Sequence, residues 1–157
     1  MRDALLTLAT TMKDFSGAFG AKGKVDPIHR LIGTAAGWGG NPDADASYVG
    51  VTPEKNDGRT VYKLNVKDVP VDAFWSISVY NAQGYFEKNA QNAYTINDIT
   101  AKRAADGSVN VQFGGCEAGI VNCLPITDGW NYLVRLYRPR AEILNGSWKF
   151  PAAKPAG

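Results

Sequence analysis

The residues with the most chemistry to offer are the only histidine, His29, the only two cysteines, Cys116 and Cys123, and a run of tyrosines and asparagines between positions 80 and 97. His29 would have to be the base of any Ser-His-Asp or Cys-His device, because imidazole is the side chain that changes charge near neutral pH. No serine stands in a Gly-x-Ser-x-Gly setting, and Ser16, Ser47, Ser76, Ser78, Ser108 and Ser147 fall in strand, turn or loop contexts. One imidazole also excludes metal centres built on two or three. His29 therefore reads first as a residue at the start of a helix, with general-base chemistry, shared with Glu87, as the catalytic alternative. Cys116 and Cys123 are too few for a four-cysteine zinc site. They either close the short loop between them as a disulfide or stand as two buried thiols, and a Cys116–His29 pair conflicts with the first reading. Asp43 and Asp45 alternate oxygen donors that suit a hard cation, but an Asp/Asn turn uses the same residues. Asp43, Asp45, Glu87 and Asp98 are also the acids from which a glycosidase pair would be drawn, at a separation of roughly 5–9 Å.

Tyr80, Asn81, Tyr85, Asn89, Asn92, Tyr94 and Asn97 offer a different chemistry. Tyrosine gives a flat apolar face and asparagine a neutral donor and acceptor, the pairing that suits polar, ring-shaped ligands such as sugars. Trp38 and Trp130 add stacking surface if they lie at the same end. The competing reading is a long loop stitched by asparagine side chains, with tyrosines capping the core. Arg135 lies within a strand pattern, on the face of Leu133 and Tyr137. A buried guanidinium needs a partner: an internal acid such as Asp72, or the anionic group of a ligand.

Some element must hold these groups in place. Leu5, Leu8, Met12 and Phe15 recur at helical spacing, and the stripe has to be buried, against the domain's own sheet or else against a partner domain or subunit. Asp3, the short apolar stretch and the lack of a small-x-small cleavage site argue against a signal peptide. Glycines at 17, 20 and 23 mark a connector through residue 25. Asp26 then suits an N-cap and Pro27 a first helical turn, with Ile28, Leu31, Ile32 and Ala35 as the apolar face and Gly37 as the stop. From Tyr48 the period changes to two. Residues 60–66 alternate after Asn56-Asp57-Gly58; residues 74–80 place Trp75, Ile77 and Val79 on one face; Val109, Val111 and Phe113 alternate; residues 132–137 form a further strand. Short strands without intervening helices predict a mainly β antiparallel sandwich or barrel, with one or two helices at the N-terminal end.

Composition bounds the rest. A chain of 157 residues fits one domain of ordinary size, and 45% hydrophobic with 20% charged residues argues against wholesale disorder. The net charge of +2, with basic and acidic residues interspersed, offers no stripe for a nucleic-acid backbone. No apolar run approaches the roughly 20 residues of a membrane-spanning helix. No cofactor-binding motif is visible.

Several runs carry a resemblance beyond pattern. Val69-Pro-Val-Asp-Ala-Phe-Trp-Ser-Ile-Ser-Val-Tyr-Asn81, Gly84-Tyr-Phe-Glu-Lys-Asn-Ala-Gln-Asn-Ala-Tyr94 and Ala105-Asp-Gly-Ser108 are followed by Asn122-Cys-Leu-Pro125, Arg135-Leu-Tyr-Arg-Pro139 and Leu144-Asn-Gly-Ser-Trp-Lys149. In that order, over about residues 48–151, they resemble the family called domain of unknown function 1214. Asp26-Pro27 and Gly37-Trp38-Gly39-Gly40 are similar to longer members, in which a domain of unknown function 1254 comes first, often behind a secretory signal. The resemblance implies a jelly-roll-like β-sandwich, an exported bacterial setting that the disulfide reading fits, and a place as the C-terminal half of a two-domain protein. Free cysteines would point to the cytoplasm instead. It brings no reaction and no catalytic set.

The organisation expected is an N-terminal helix and connector over 1–25 and a sandwich over 26–157. The function expected is a non-catalytic module that binds a small polar or carbohydrate ligand through Trp38, Tyr80, Asn81, Tyr85, Asn92, Tyr94 and Arg135, or that packs on a partner domain. The alternatives are a hydrolase using carboxylates or His29, and a half-domain that dimerises.

Overall fold

The computed structural model describes residues 2–9, 11, 15–37, 40–117 and 119–156. Eight strands form two four-stranded sheets. They are β1 (Ala46–Val51), β2 (Tyr62–Val66), β3 (Trp75–Tyr80), β4 (Thr95–Asn97), β5 (Val109–Phe113), β6 (Cys123–Leu124), β7 (Asn131–Tyr137) and β8 (Lys154–Pro155). One sheet runs β1-β7-β3-β4 and the other β6-β5-β2-β8, so the architecture is a sandwich rather than a closed barrel. Pairing is antiparallel apart from the two-residue parallel contact of β5 with β6.

The alternation read from the sequence decides what fills the sandwich. Trp75, Ile77 and Val79 of β3 and Tyr132, Val134 and Leu136 of β7 face Tyr62, Leu64 and Val66 of β2 and Val109, Val111 and Phe113 of β5. A one-residue slip would turn any of these sets outward, so the core fixes the register. Trp130, completely buried, packs with Phe113, Tyr62 and Tyr132 at ring-centroid distances of 5.3, 5.6 and 6.0 Å. It therefore belongs to the core and offers no stacking surface to a ligand, contrary to the expectation above. The segment after the short helix α3 (Ala141–Leu144) closes one flank: Phe150 and Ala153 pack on the core, and the Ala153 N–H donates to the Tyr132 hydroxyl at 3.1 Å. Burial pushes that hydroxyl above the usual phenol range.

At the N-terminal end, α1 (Arg2–Ala9) packs on α2 (Pro27–Ala36). The Asp26 carboxylate accepts from the His29 N–H at 2.8 Å, and Pro27 occupies the first turn, as the sequence predicts. Where the helical stripe goes differs from expectation. No described side chain of either helix belongs to the sandwich core, whose inward faces are already filled by sheet residues. Ile32 is buried, while Ile28 and Leu31 of the same predicted face stay exposed. Met12 lies outside the described residues. The connector is tied down: Ala18 is fully buried, and the Gly17 N–H donates to the Asp43 carboxylate at 2.9 Å.

The turn before β2 depends on two neighbours. Gly58 has φ +68°, and a Cβ there would come within 2.6 Å of the Asp128 amide nitrogen, so only glycine fits. The Asp57 carboxylate accepts from the N–H groups of Thr60 and Arg59 and from the Thr60 hydroxyl, at 2.7, 2.9 and 2.9 Å. These bonds hold its pKa down to about 2 from an ordinary 3.8. A depressed carboxylate pKa stabilises the fold above the unfolded value and loses that effect as pH falls through the folded one. Asp57→Asn is therefore expected to lower the melting temperature at neutral pH, with the difference from the native chain shrinking from about pH 4 down to about pH 2. Parallel melts across that range check it, and a gap that is constant with pH would contradict the origin given.

Candidate functional site

The outer face of the β1-β7-β3-β4 sheet carries Arg135, a strand-borne charge with no acid partner among the described residues. Arg135 stands opposite Ser76 of β3 and Tyr48 of β1. Its side chain runs along β3, so that Nη1 donates to the Ser78 hydroxyl at 3.0 Å and Nη2 to the Tyr80 hydroxyl at 2.6 Å. Its carbon centre lies 5.9 Å from the Tyr80 ring centroid, within reach of a cation–π attraction. The internal ion pair with Asp72 does not form. Asp72 instead bonds Arg140 at 2.8 Å, because the Val71–Pro139 bridge brings those two chain segments side by side. Arg135 is half-buried, both of its partners are neutral hydroxyls, and a guanidinium has five N–H donors. Three of them find no acceptor among the described residues.

Beyond Tyr80 the rings continue into the loop. Tyr80 stacks on Phe86 with centroids 5.0 Å apart and planes 4° off parallel, and Phe86 meets Tyr94 at 5.5 Å. Phe86 is a member of this ladder that the tyrosine-and-asparagine reading missed; its signal was a large aromatic in the middle of a polar loop. Tyr85 is 70% exposed and takes part through its backbone, accepting at its carbonyl from the Asn81 N–H.

The asparagines divide the other way. The Asn81 side chain accepts from the N–H groups of Gln83 and Tyr85 and donates to the Glu87 carboxylate at 2.9 Å. Asn89 brackets the turn by bonding Glu87 and Ala93, and Asn92 adopts a left-handed φ of 51°. Asn97 caps Ile99 and Thr100. They hold the loop, as the structural alternative foresaw, while the rings remain as surface. A shallow depression with a cavity volume of only about 10 Å³ lies at this end, lined by Tyr80, Asn81, Glu87, Tyr94, Pro125 and Thr127 among others.

Cys116 and Cys123 are joined as a disulfide, the bond that an oxidising compartment such as the periplasm or the cell exterior sustains. Gln91 donates to the Cys116 carbonyl at 3.3 Å, tying the aromatic loop to the disulfide loop. With both sulfurs bonded, no Cys116–His29 pair is available. His29 Nε2 is buried without a hydrogen-bond partner among the described residues, so none of them orients that nitrogen. The Asp43 carboxylate is engaged by Gly17, and the described residues hold no group of three or more His, Cys, Asp or Glu side chains fit for a metal ion. Trp38 lies outside the described residues. No described helix is long and apolar enough to cross a membrane.

The VPA0106 protein of Vibrio parahaemolyticus has a crystal structure that is similar over 99% of this chain, with a TM-score of 0.78 and 25% identity. The match covers 42% of that protein, so this chain spans about two fifths of its length. An uncharacterized protein from Burkholderia cenocepacia is more distant, with a TM-score of 0.45 and 18% identity over 73% of this chain and 29% of its own. No curated protein matches the chain. The family model described as protein of unknown function (DUF1214) matches residues 46–141, from the first residue of β1 to the first of α3. With more than half of its residues inside that match, the chain belongs to the DUF1214 family.

Proposed function

We propose that this sandwich is a non-catalytic binding module of an exported bacterial protein, and that its ligand is an acidic, ring-shaped molecule of carbohydrate type. The observation that carries the reading is Arg135, a half-buried guanidinium with only neutral partners and three open donors, set beside exposed aromatic rings. A carboxylate on the ligand would take the open donors in a charge-assisted pair, and a sugar ring would lie against Phe86 or Tyr85. The site is held by β3 and β7, rigid neighbours in the centre of a sheet, which keeps the ordering cost of binding low. The Glu87 carboxylate, fixed by Asn81 on the loop side of Tyr80, turns anions away from the depression and toward Arg135. The disulfide supports the exported setting. The described residues lend a hydrolase reading no support: Glu87 bonds a neutral amide, and His29 Nε2 has no hydrogen-bond partner among them.

Calorimetric titration with trigalacturonate and with galactotriose tests the proposal. The acidic sugar is expected to bind at least about tenfold more tightly, since a hydrogen bond to a charged group contributes roughly 1.5–3 kcal/mol. Arg135→Met should erase the preference, and Tyr80→Phe should weaken it by removing the hydroxyl that positions the guanidinium. Equal affinities would overturn the anion assignment, and the absence of binding by either sugar would overturn the carbohydrate reading.

A further inference from the structure

We infer that two copies of this chain join through the free edge of β1, making one continuous eight-stranded sheet. In the β1–β7 pair the Arg138 N–H donates to the Asp45 carbonyl, and alternation then turns the backbone groups of Ser47, Val49 and Val51 toward β7. Those of Tyr48 and Gly50 point the other way. Neither residue has a hydrogen bond from its N–H or its carbonyl on that side among the described residues. The remaining sheet edges, β4, β6 and β8, are three, two and two residues long, the usual protection of an edge. β1 is six residues long, and its sequence Ala-Ser-Tyr-Val-Gly-Val holds no charge and no proline.

Gly50 indicates what covers this edge. Glycine weakens a strand interior and often marks the close approach of another backbone. Here its φ lies outside the left-handed region, and a Cβ would meet only Leu133 Cδ1, at an ordinary 3.9 Å. Nothing among the described residues requires the missing side chain. An antiparallel second copy, with its two-fold axis at Val49, sets Tyr48 of each copy opposite Gly50 of the other. Both pairs then exchange N–H···O=C bonds, and each Tyr48 ring, 37% exposed on the outer face, covers the other copy's glycine. An edge that pairs with itself so closely fits a second copy better than an unrelated strand.

Light scattering of the 157-residue chain from micromolar to sub-millimolar concentration tests this. The expected mass is twice 16.9 kDa. Gly50→Pro removes only a donor that faces the free edge, and Gly50→Val fills the space beneath the second copy's Tyr48. Each is expected to weaken the dimer at least about tenfold and to leave a folded monomer by circular dichroism. Should the proline variant fail to fold, the valine variant gives the same reading. A native chain that stays monomeric, or a dimer undiminished in Gly50→Val, would overturn the inference.

Discussion

Trp130→Ala is expected to lower stability by about 4 kcal/mol, the range for emptying a large aromatic site in a closed core. The indole is fully buried and is gripped on three sides by Phe113, Tyr62 and Tyr132, all strand residues that cannot collapse inward without breaking register. In a domain of this length the melting temperature should fall by roughly 10 °C. Trp130→Phe separates the contributions. It keeps a ring in the stack and removes an indole N–H that has no acceptor among the described residues, a group that costs the fold about 1–3 kcal/mol while it stays unmet. The phenylalanine variant should therefore lose about 1 kcal/mol or less. Denaturant titration of both variants checks the pair, and an alanine variant within 1 kcal/mol of the native protein would contradict the core described here.

Cys116→Ser with Cys123→Ser is expected to cost about 2.5 kcal/mol, the chain-entropy value for an eight-residue closed loop. Most of this effect belongs to the unfolded ensemble, which gains freedom once the cross-link is gone. A reductant should bring the native protein down to the stability of the double variant and leave the double variant unchanged. The Gln91 contact with the Cys116 carbonyl carries the change toward the aromatic loop, so amide exchange in residues 82–94 should quicken in parallel. Equal stability with and without reductant would contradict a stabilising bond.

Much of this fold was legible because buried strands betray themselves by period. β2, β5 and β7 alternate in burial over five to seven residues, while β3 alternates only in residue type, its serines being buried too. β4, β6 and β8 are too short to show any period, and β8 is half proline. The cap at Asp26 was legible because capping is local chemistry. The destination of the helical stripe was not, because the choice between sheet and helix as its partner is made by tertiary packing. Trp130 was a stacking surface only on the condition of where its ring lay, and tertiary packing turns that ring into the core.

The site divides along the same line. The even cysteine count marked the disulfide, and residue types singled out Tyr80 and Arg135, which the fold brings into hydrogen-bond contact. Partners were harder to read. Asp72 is a plausible mate for Arg135 by charge alone, but register places Arg135 over Ser78 and gives Asp72 to Arg140. Phe86 entered the ring ladder only through the path of a loop that asparagine side chains hold in place.

The most direct test of the binding proposal is a nitrogen-15 NMR titration of the arginine side chains with trigalacturonate. The Arg135 Nε–H signal is expected to shift saturably together with the Tyr80 ring, and in Arg135→Met the Tyr80 response should vanish. Saturating binding that leaves the Arg135 and Tyr80 signals in place, or the absence of any saturable shift, would contradict a site built on that guanidinium.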